Sequence, residues 1–400
     1  MRSVDRCRNI ADFRAMARRR LPRALFDFLD GGAEDEVTLR RNTSDFDQFE
    51  LVPRTLIDLA DLTMETSVLG QTVSAPILLS PTGMNRMFHP AGERAVAGAA
   101  SMHGLFYSLS TLSTVSIEEV ARINPGPKCF QIYIHKDRGL TRRFIERCKA
   151  AGFAALSLTV DATVGGNRER DLAHGLAIPP RLSPASLLDF AMHPRWVAGH
   201  FTNPPLTLAN LAAASGKDKK LDSVYQYVGE QFDSSVTWRD AEEIVREWGG
   251  PFAIKGIVSV EDARRAVDIG ASAIMLSNHG GRQLDGARSP IAALGDVVDA
   301  VGGQIEVIVD GGVRRGTHIA KAIAMGATAV SIGRPYLYAL AAGGEAGVDR
   351  MLTRLIAELR RDMMLIGCAS LGDIGPSRIR PAIASASGSS QPGACGRSAV

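Results

Sequence analysis

Apolar residues along this chain fall into short blocks, separated by longer stretches in which they recur every three or four positions. The blocks are Pro76–Ser80 (PILLS), Phe106–Ser110 (FYSLS), Cys129–Ile134 (CFQIYI), Ala154–Val160 (AALSLTV), Phe252–Lys255 (FAIK), Ala273–Ser277 (AIMLS), Ile305–Val309 (IEVIV) and Thr328–Ile332 (TAVSI). Each is too short for a helix and continuously apolar, as a strand buried on both faces must be. Helical spacing follows most of them, at Glu93–Met102, Ile117–Ile123, Leu140–Ala151, Val260–Ile269 and Thr317–Met325. Strand–helix alternation implies parallel pairing with helical crossovers. Eight such units predict an α/β fold of the closed (β/α)8 TIM-barrel type, with an open doubly wound sheet as the alternative.

Three stretches depart from that rhythm. Residues 9–50 read as a helical N-terminal cap rather than sheet: Asn9-Ile10-Ala11-Asp12-Phe13 begins one helix, Leu21-Pro22-Arg23 begins a second, and Gly31-Gly32 stops it. Between Val160 and Phe252 the chain is far longer than the dozen or so residues a crossover needs. Residues 175–235 are therefore an insertion after strand 4. Its part Ser183–Ala214 is apolar and broken by prolines, and Lys217-Asp218-Lys219-Lys220 reads as an exposed loop. Such an insertion is a lid over a site or a surface that docks on something. A helix over Trp238–Trp248 leads into the fifth strand. Residues 381–400 are rich in Ser, Gly and Ala without apolar periodicity, and read as a disordered tail. The expected organisation is a single domain over 1–380 followed by that tail.

Composition narrows the classes. An apolar share of 45% and a charged share of 22% are ordinary for a globular chain. A net charge of +3 over 400 residues provides no basic field, so nucleic acid is not an expected partner. The cysteines (Cys7, Cys129, Cys148, Cys368 and Cys395) are odd in number, scattered and without a CxxC pair, which argues against a disulfide framework or a structural metal site. The start MRSVDRCRNIADF lacks the apolar core of a secretory signal, and no run approaches the roughly 18 apolar residues of a spanning helix. The expectation is a cytoplasmic protein, with peripheral attachment to the inner face of the cell membrane as the variant.

In a barrel of this kind the chemistry collects at the C-terminal ends of the strands. Those ends carry Ser80-Pro81-Thr82-Gly83, Ser110-Thr111, Thr159-Val160-Asp161, Lys255, Ser277-Asn278-His279, Asp310-Gly311-Gly312 and Gly333-Arg334, with Gln131 and Tyr133 on the third run. The stretch Ser277-Asn278-His279-Gly280-Gly281-Arg282-Gln283-Leu284-Asp285 is the most telling. His279 can take a proton near neutral pH, and Arg282 can grip a carboxylate with two parallel bonds. A base beside a carboxylate clamp suits a small acid that loses a proton next to its carboxyl group. Asp310-Gly311-Gly312-Val313-Arg314-Arg315-Gly316 and Gly333-Arg334-Pro335 each open a helix, where glycine N–H groups and arginines favour phosphate. Lys255 ends an apolar run and needs a negative partner, either an anionic reduced cofactor or Asp161. Asp161 could equally orient His279.

The ordered motifs SPTG (80–83), FQIY (130–133), LTVDA (158–162), IKG (254–256), SNHGGRQLD (277–285), DGGVRRG (310–316) and IGRP (332–335) resemble the FMN-dependent (S)-2-hydroxy-acid dehydrogenase/oxidase family, which includes glycolate oxidase, L-lactate dehydrogenase and (S)-mandelate dehydrogenase. The likeness runs from Asn9 to Arg380. GNRERDL (166–172) and HPRW (193–196) look most like the membrane-associated mandelate and bacterial lactate dehydrogenases.

The resemblance implies bound FMN and oxidation of an (S)-2-hydroxy acid to the 2-oxo acid, with flavin N5 as electron acceptor. It makes His279 the base, Asp161 the stabiliser of the imidazolium, and Tyr133, Arg168 and Arg282 the substrate ligands. Lys255 then steadies the reduced flavin. Pro81, Thr82, Gly83, Ser110, Gln131, Thr159 and Ser277 line the flavin. Asp310, Gly311, Gly312, Val313 and Arg314, with Gly333 and Arg334, hold its ribityl and phosphate. It also implies a homotetramer, and a membrane surface with quinone or another carrier as oxidant.

Two positions depart from the family. Phe28, in LFDFLDGG, stands where a tyrosine usually bonds the substrate carboxylate, and Leu112 stands where glycolate oxidase has tryptophan. Both point to a bulkier, less polar acid, so a mandelate-like aryl acid leads. An L-lactate dehydrogenase or an oxygen-using oxidase is the alternative. Gly83, where glycolate oxidase has alanine, leans toward a carrier other than oxygen.

Overall fold

Continuous apolar blocks leave their strands nowhere to go but a barrel interior. In the computed structural model, which describes residues 4–173, 183–215 and 233–382, all eight blocks are strands. The N-terminal cap comes first: α1 (Ile10–Arg20), α2 (Arg23–Asp30), α3 (Val37–Ser44), strand β1 (Phe49–Leu51), and a hairpin of β2 (Thr66–Val68) and β3 (Gln71–Val73). The barrel strands are β4 (Ile77–Leu79), β5 (Phe106–Ser110), β6 (Lys128–Ile132), β7 (Ala155–Thr159), β8 (Phe252–Ile257), β9 (Ala273–Ser277), β10 (Glu306–Asp310) and β11 (Ala329–Ile332). They pair in parallel in sequence order and close through β11 on β4. The helix α4 (Gly92–Met102) is the crossover between β4 and β5.

Both ends of the barrel are covered by the cap. Val68, Leu69 and Val73 of the hairpin pack against Leu78, Phe106, Met275 and Ile308, plugging the N-terminal end. At the other end α2 and α3 lie beside the mouth. Asn42 and Asn278 exchange side-chain amide bonds at 2.7 and 2.8 Å, and Asp285 accepts from Val37 N and Thr38 N at the start of α3. Thus the loop after β9 is tied to the cap on both sides of His279.

Register sets the layer from which the site is built. Asp310 pairs with Ser277 on one side and Ser331 on the other, and Lys255 pairs with Thr159. A bulge lies between Lys255 and Ile257. Gly256 there has φ of 108°, and a Cβ on it would come within 2.7 Å of the Asp161 side chain. Only glycine allows that approach.

Differences from the sequence reading are local. Phe49 and Glu50, assigned to the helical cap, form β1, which pairs antiparallel with β12 (Ile379–Pro381). Pro381, placed in the tail, ends that strand, and Ala382 N still bonds Gln48 O at 2.7 Å. The backbone partner was distant in sequence, so no local pattern announced it. The rest of 381–400 lies outside the described residues, as does Lys217–Lys220. Of the insertion, Pro184–Ala191, Pro194–Phe201 and Ala209–Ser215 are helices. They are fastened to the barrel rim: Asp189 accepts from Arg23 N at 2.6 Å, Trp196 Nε1 donates to Met87 O at 2.8 Å, and the Arg86 guanidinium donates to Pro204 O and Pro205 O. A 33-residue helical segment, Arg334–Ile366, kinks at Gly343 and Gly344 and packs against α1 and α4.

Candidate active site

A cavity of about 870 Å³ opens at the C-terminal mouth of the barrel. That is within the usual size of a cofactor-plus-substrate site. His279 sits there in a left-handed conformation, φ 57°, which is uncommon for a non-glycine residue though histidine tolerates it better than most. Its N–H bonds Ser277 Oγ at 3.1 Å, and its Nδ1 lies 2.8 Å from Asp161 Oδ1. The sequence left open whether Asp161 meets Lys255 or His279; the direct contact is with His279. Burial pushes the Asp161 carboxyl up, but the attraction of His279 and Lys255 outweighs it and holds the carboxyl below its ordinary value. Gln283 secures the segment below: its Nε2 donates to Asp161 O and Val164 O, and its Oε1 accepts from Gly166 N.

Lys255 has a different partner from those weighed on sequence grounds. Its Nζ is 3.0 Å from Asp310 Oδ2 and 2.9 Å from Ser277 Oγ. Asp310 also accepts from Ser80 Oγ and Ser277 Oγ. Burial alone would neutralise both members, yet mutual attraction wins: the ammonium is shifted up and the carboxyl down. So Asp310, expected with the phosphate loop, serves first as the counter-ion of Lys255, because pairing of β9 with β10 puts Ser277 beside it.

Arg282 reaches over α2. Its Nη1 donates to Phe28 O at 2.7 Å and Gly31 O at 3.1 Å, and its guanidinium lies 5.0 Å from the Phe28 ring centroid. Arg168 lies 5.9 Å from the same ring and 3.8 Å from Asp171. The two arginines therefore flank one aromatic ring at the cavity wall. Burial pushes the Tyr133 hydroxyl up to about 12, helped by Asp161, so it stays a neutral hydrogen-bonding group.

Arg314 and Arg334 also line the cavity, beside Gly311, Gly312 and Gly333. Arg334 donates to Leu29 O, Gly280 O and Gly31 O, and Arg314 to Val313 O. Neither has a carboxylate within ion-pair distance among the described residues, and burial pulls both guanidiniums down. Two half-buried cations with carbonyl partners only, next to glycine N–H groups, suit a phosphate. The donor set fits FMN.

Pro81, Thr82, Gly83, Ser110 and Val313 face the cavity. Gln131, Thr159 and Ser277 stand one layer behind the wall, buried at the tips of their strands; Ser110 Oγ bonds Gln131 Oε1 at 3.1 Å. Sequence reading passed over several residues of the wall: Met84, Phe88, Val164, Leu172 and Asp171. Asp171 lies within GNRERDL, so its motif was visible; the apolar ones carried no signal beyond being apolar.

The fold and these groups define a flavin-dependent oxidoreductase. The chain belongs to the FMN-dependent dehydrogenase family, whose model matches residues 17–381. It is 44% identical over 373 residues to L-lactate oxidase of Nostoc sp., covering 92% of this chain and 97% of that one. It is 43% identical over 364 residues to L-lactate dehydrogenase of Pseudomonas aeruginosa, covering 91% and 95%. Among solved structures, the monotopic membrane protein (S)-mandelate dehydrogenase superposes with a TM-score of 0.91 at 38% identity, over 94% of this chain and all of that one. Mandelate oxidase bound to (S)-2-phenylpropionate gives 0.79 at 38%, over 94% and 98%. The protein is thus an enzyme that uses FMN and acts on 2-hydroxy acids. Phosphate-binding barrels without redox chemistry are excluded by that membership.

Proposed function

We propose that this enzyme oxidises an (S)-2-hydroxy acid with an aryl side chain, of which mandelate is the type, to the 2-oxo acid, and that its electrons leave to quinone or another carrier. The observation that carries the reading is the half-buried Asp161–His279 contact at 2.8 Å, with His279, Arg282 and Arg168 lining one cavity. Asp161 holds Nδ1 of His279, so Nε2 is left to take the proton of the substrate alcohol. The imidazolium that results is stabilised by the Asp161 carboxylate. Arg282 and Arg168 bind the substrate carboxylate, and the Tyr133 hydroxyl bonds the substrate oxygen. Bound FMN supplies a two-electron acceptor, and Lys255 supplies positive charge at its site.

The aryl preference rests on the wall. Phe28, Met84, Phe88, Leu112, Val164 and Leu172 give the cavity an apolar side, and Phe28 brings no hydroxyl to the carboxylate end. Anaerobic titration with glycolate, L-lactate and (S)-mandelate, followed by loss of the visible flavin band, tests it. A kcat/KM for glycolate above that for mandelate refutes the enlarged pocket. L-lactate is the second candidate, favoured by the names of the sequence relatives.

Peripheral membrane docking through Pro184–Phe201 completes the proposal. Leu187, Leu188, Met192 and Phe201 are exposed by 56, 66, 73 and 81%, and no helix among the described residues is long and apolar enough to cross a membrane. Replacing all four by serine should abolish sedimentation with anionic vesicles and leave FMN bound; unchanged sedimentation refutes docking. A homotetramer is proposed on the exposed Leu56, Met364 and Leu365, and light scattering tests it.

A further inference from the structure

We propose that Glu93 is a positioning residue for the flavin cradle: its carboxylate staples the loop after β4 to the loop after β5, and so sets the gap between Gly83 and Leu112. Glu93 lies in the first turn of α4, the crossover between those two strands, and is wholly buried. Its Oε1 accepts from Asn85 N at 3.1 Å and from Thr114 N at 3.0 Å, and its Oε2 accepts from Thr114 Oγ1. Asn85 lies in the first loop and Thr114 in the second.

Among the described residues no arginine, lysine or histidine comes within ion-pair distance of that carboxylate. A buried carboxylate without a cation is costly and persists only where hydrogen bonds hold it. Here the holders are two backbone N–H groups, one hydroxyl and the positive end of α4. Burial raises its pKa in spite of these bonds.

The contacts lead directly to the cavity. Asn85 Oδ1 accepts from Thr82 Oγ1 at 2.7 Å, and Thr82 Oγ1 is 2.6 Å from the Tyr336 hydroxyl. Met84 N bonds Leu112 O at 2.9 Å across the two loops. Gly83 is already tight against its neighbour: a Cβ on it would lie 2.9 Å from Leu112 Cβ. Thr82, Gly83, Ser110 and Leu112 all face the cavity. One buried side chain that touches neither cavity nor ligand thus determines how two of its walls stand to each other.

The proposal rests on FMN occupying this cavity, and the test reads FMN directly. FMN is removed from the wild type and from Glu93→Gln, Glu93→Ala and Thr114→Val, and the apoproteins are titrated with FMN by flavin fluorescence. Glutamine keeps one oxygen for both N–H groups and can donate to the Thr114 hydroxyl, so its Kd should stay within about threefold of wild type. Alanine orphans two buried N–H groups, and its Kd should rise roughly a hundredfold. Thr114→Val removes one donor and should raise Kd about tenfold, which covers an alanine variant that does not fold. The same series in holoenzyme should move KM for the hydroxy acid with Kd. Unchanged Kd in Thr114→Val and Glu93→Ala, with only a lower melting temperature, overturns the proposal, and so does Glu93→Gln as weak as Glu93→Ala. Failure of all four proteins, wild type included, to take up FMN overturns the cofactor placement and this proposal with it.

Discussion

Replacing Asp161 by asparagine isolates the charge that faces the imidazole. The two side chains are isosteric, and asparagine Oδ1 can still accept from His279 Nδ1 across the same 2.8 Å. What is lost is the attraction between a carboxylate and the imidazolium formed as the substrate gives up its proton. Two unit charges about 4 Å apart interact by about 4 kcal/mol at an effective dielectric of about 20. The pair is half-buried, so salt screens it less than a surface pair, while the retained hydrogen bond recovers about 1 kcal/mol. The remaining ~3 kcal/mol corresponds to roughly a hundredfold in rate. Asp161 is absent from the cavity wall, so substrate affinity should change far less than kcat. The assay is anaerobic stopped-flow bleaching of the flavin band by saturating hydroxy acid, compared with the Kd from the concentration dependence. An Asp161→Asn rate within threefold of wild type would refute the role of the pair. So would a loss carried entirely by substrate affinity.

Three other outcomes follow from the same geometry. Lys255→Met strips Asp310 of its 3.0 Å partner and leaves a buried carboxylate held by serines; stability to urea should fall by about 3–5 kcal/mol, and wild-type stability would count against the pair. Phe28→Tyr adds a donor beside Arg282 and Arg168, and should lower KM for L-lactate about three- to tenfold, read by steady-state kinetics with (S)-mandelate as the control; no change for either acid sinks the reading of the missing hydroxyl. Asp362, raised to about 6 by burial and by Glu358, carries a penalty when ionised. Below about pH 3 it is protonated folded and unfolded; as pH rises to 6 the folded state keeps a proton the unfolded state has lost, so stability falls. Asp362→Asn should therefore melt higher than wild type at pH 8 and equally at about pH 2.5. The gain should be about 1 kcal/mol or less, because the group is half-exposed and screened; an equal difference at both pH values would refute it.

How far the sequence could be read varied by residue. His279, Arg282, Arg314 and Arg334 were legible because each sits in the loop just past an apolar block, and the barrel rule carries every such loop to one mouth. Lys255 was legible as a cation needing a partner, but its partner was not, since Asp310 reaches it only through the pairing of β9 with β10. Phe28 could be singled out by its motif, yet its place within reach of both Arg282 and Arg168 depends on where α2 lies at the mouth. Glu93 gave no signal: one acid in the first turn of a helix reads as a solvated end, and here it is wholly buried.

The sequence by itself determined the strand and helix order, the parallel barrel and the chemistry at its rim, because apolar period and chain direction are local properties. Only the tertiary structure decided which acid meets which base, where the cap lies against the mouth, and how two loops are held apart. Those contacts join residues far apart in the chain, and a periodic pattern reports that a face is buried without naming what buries it.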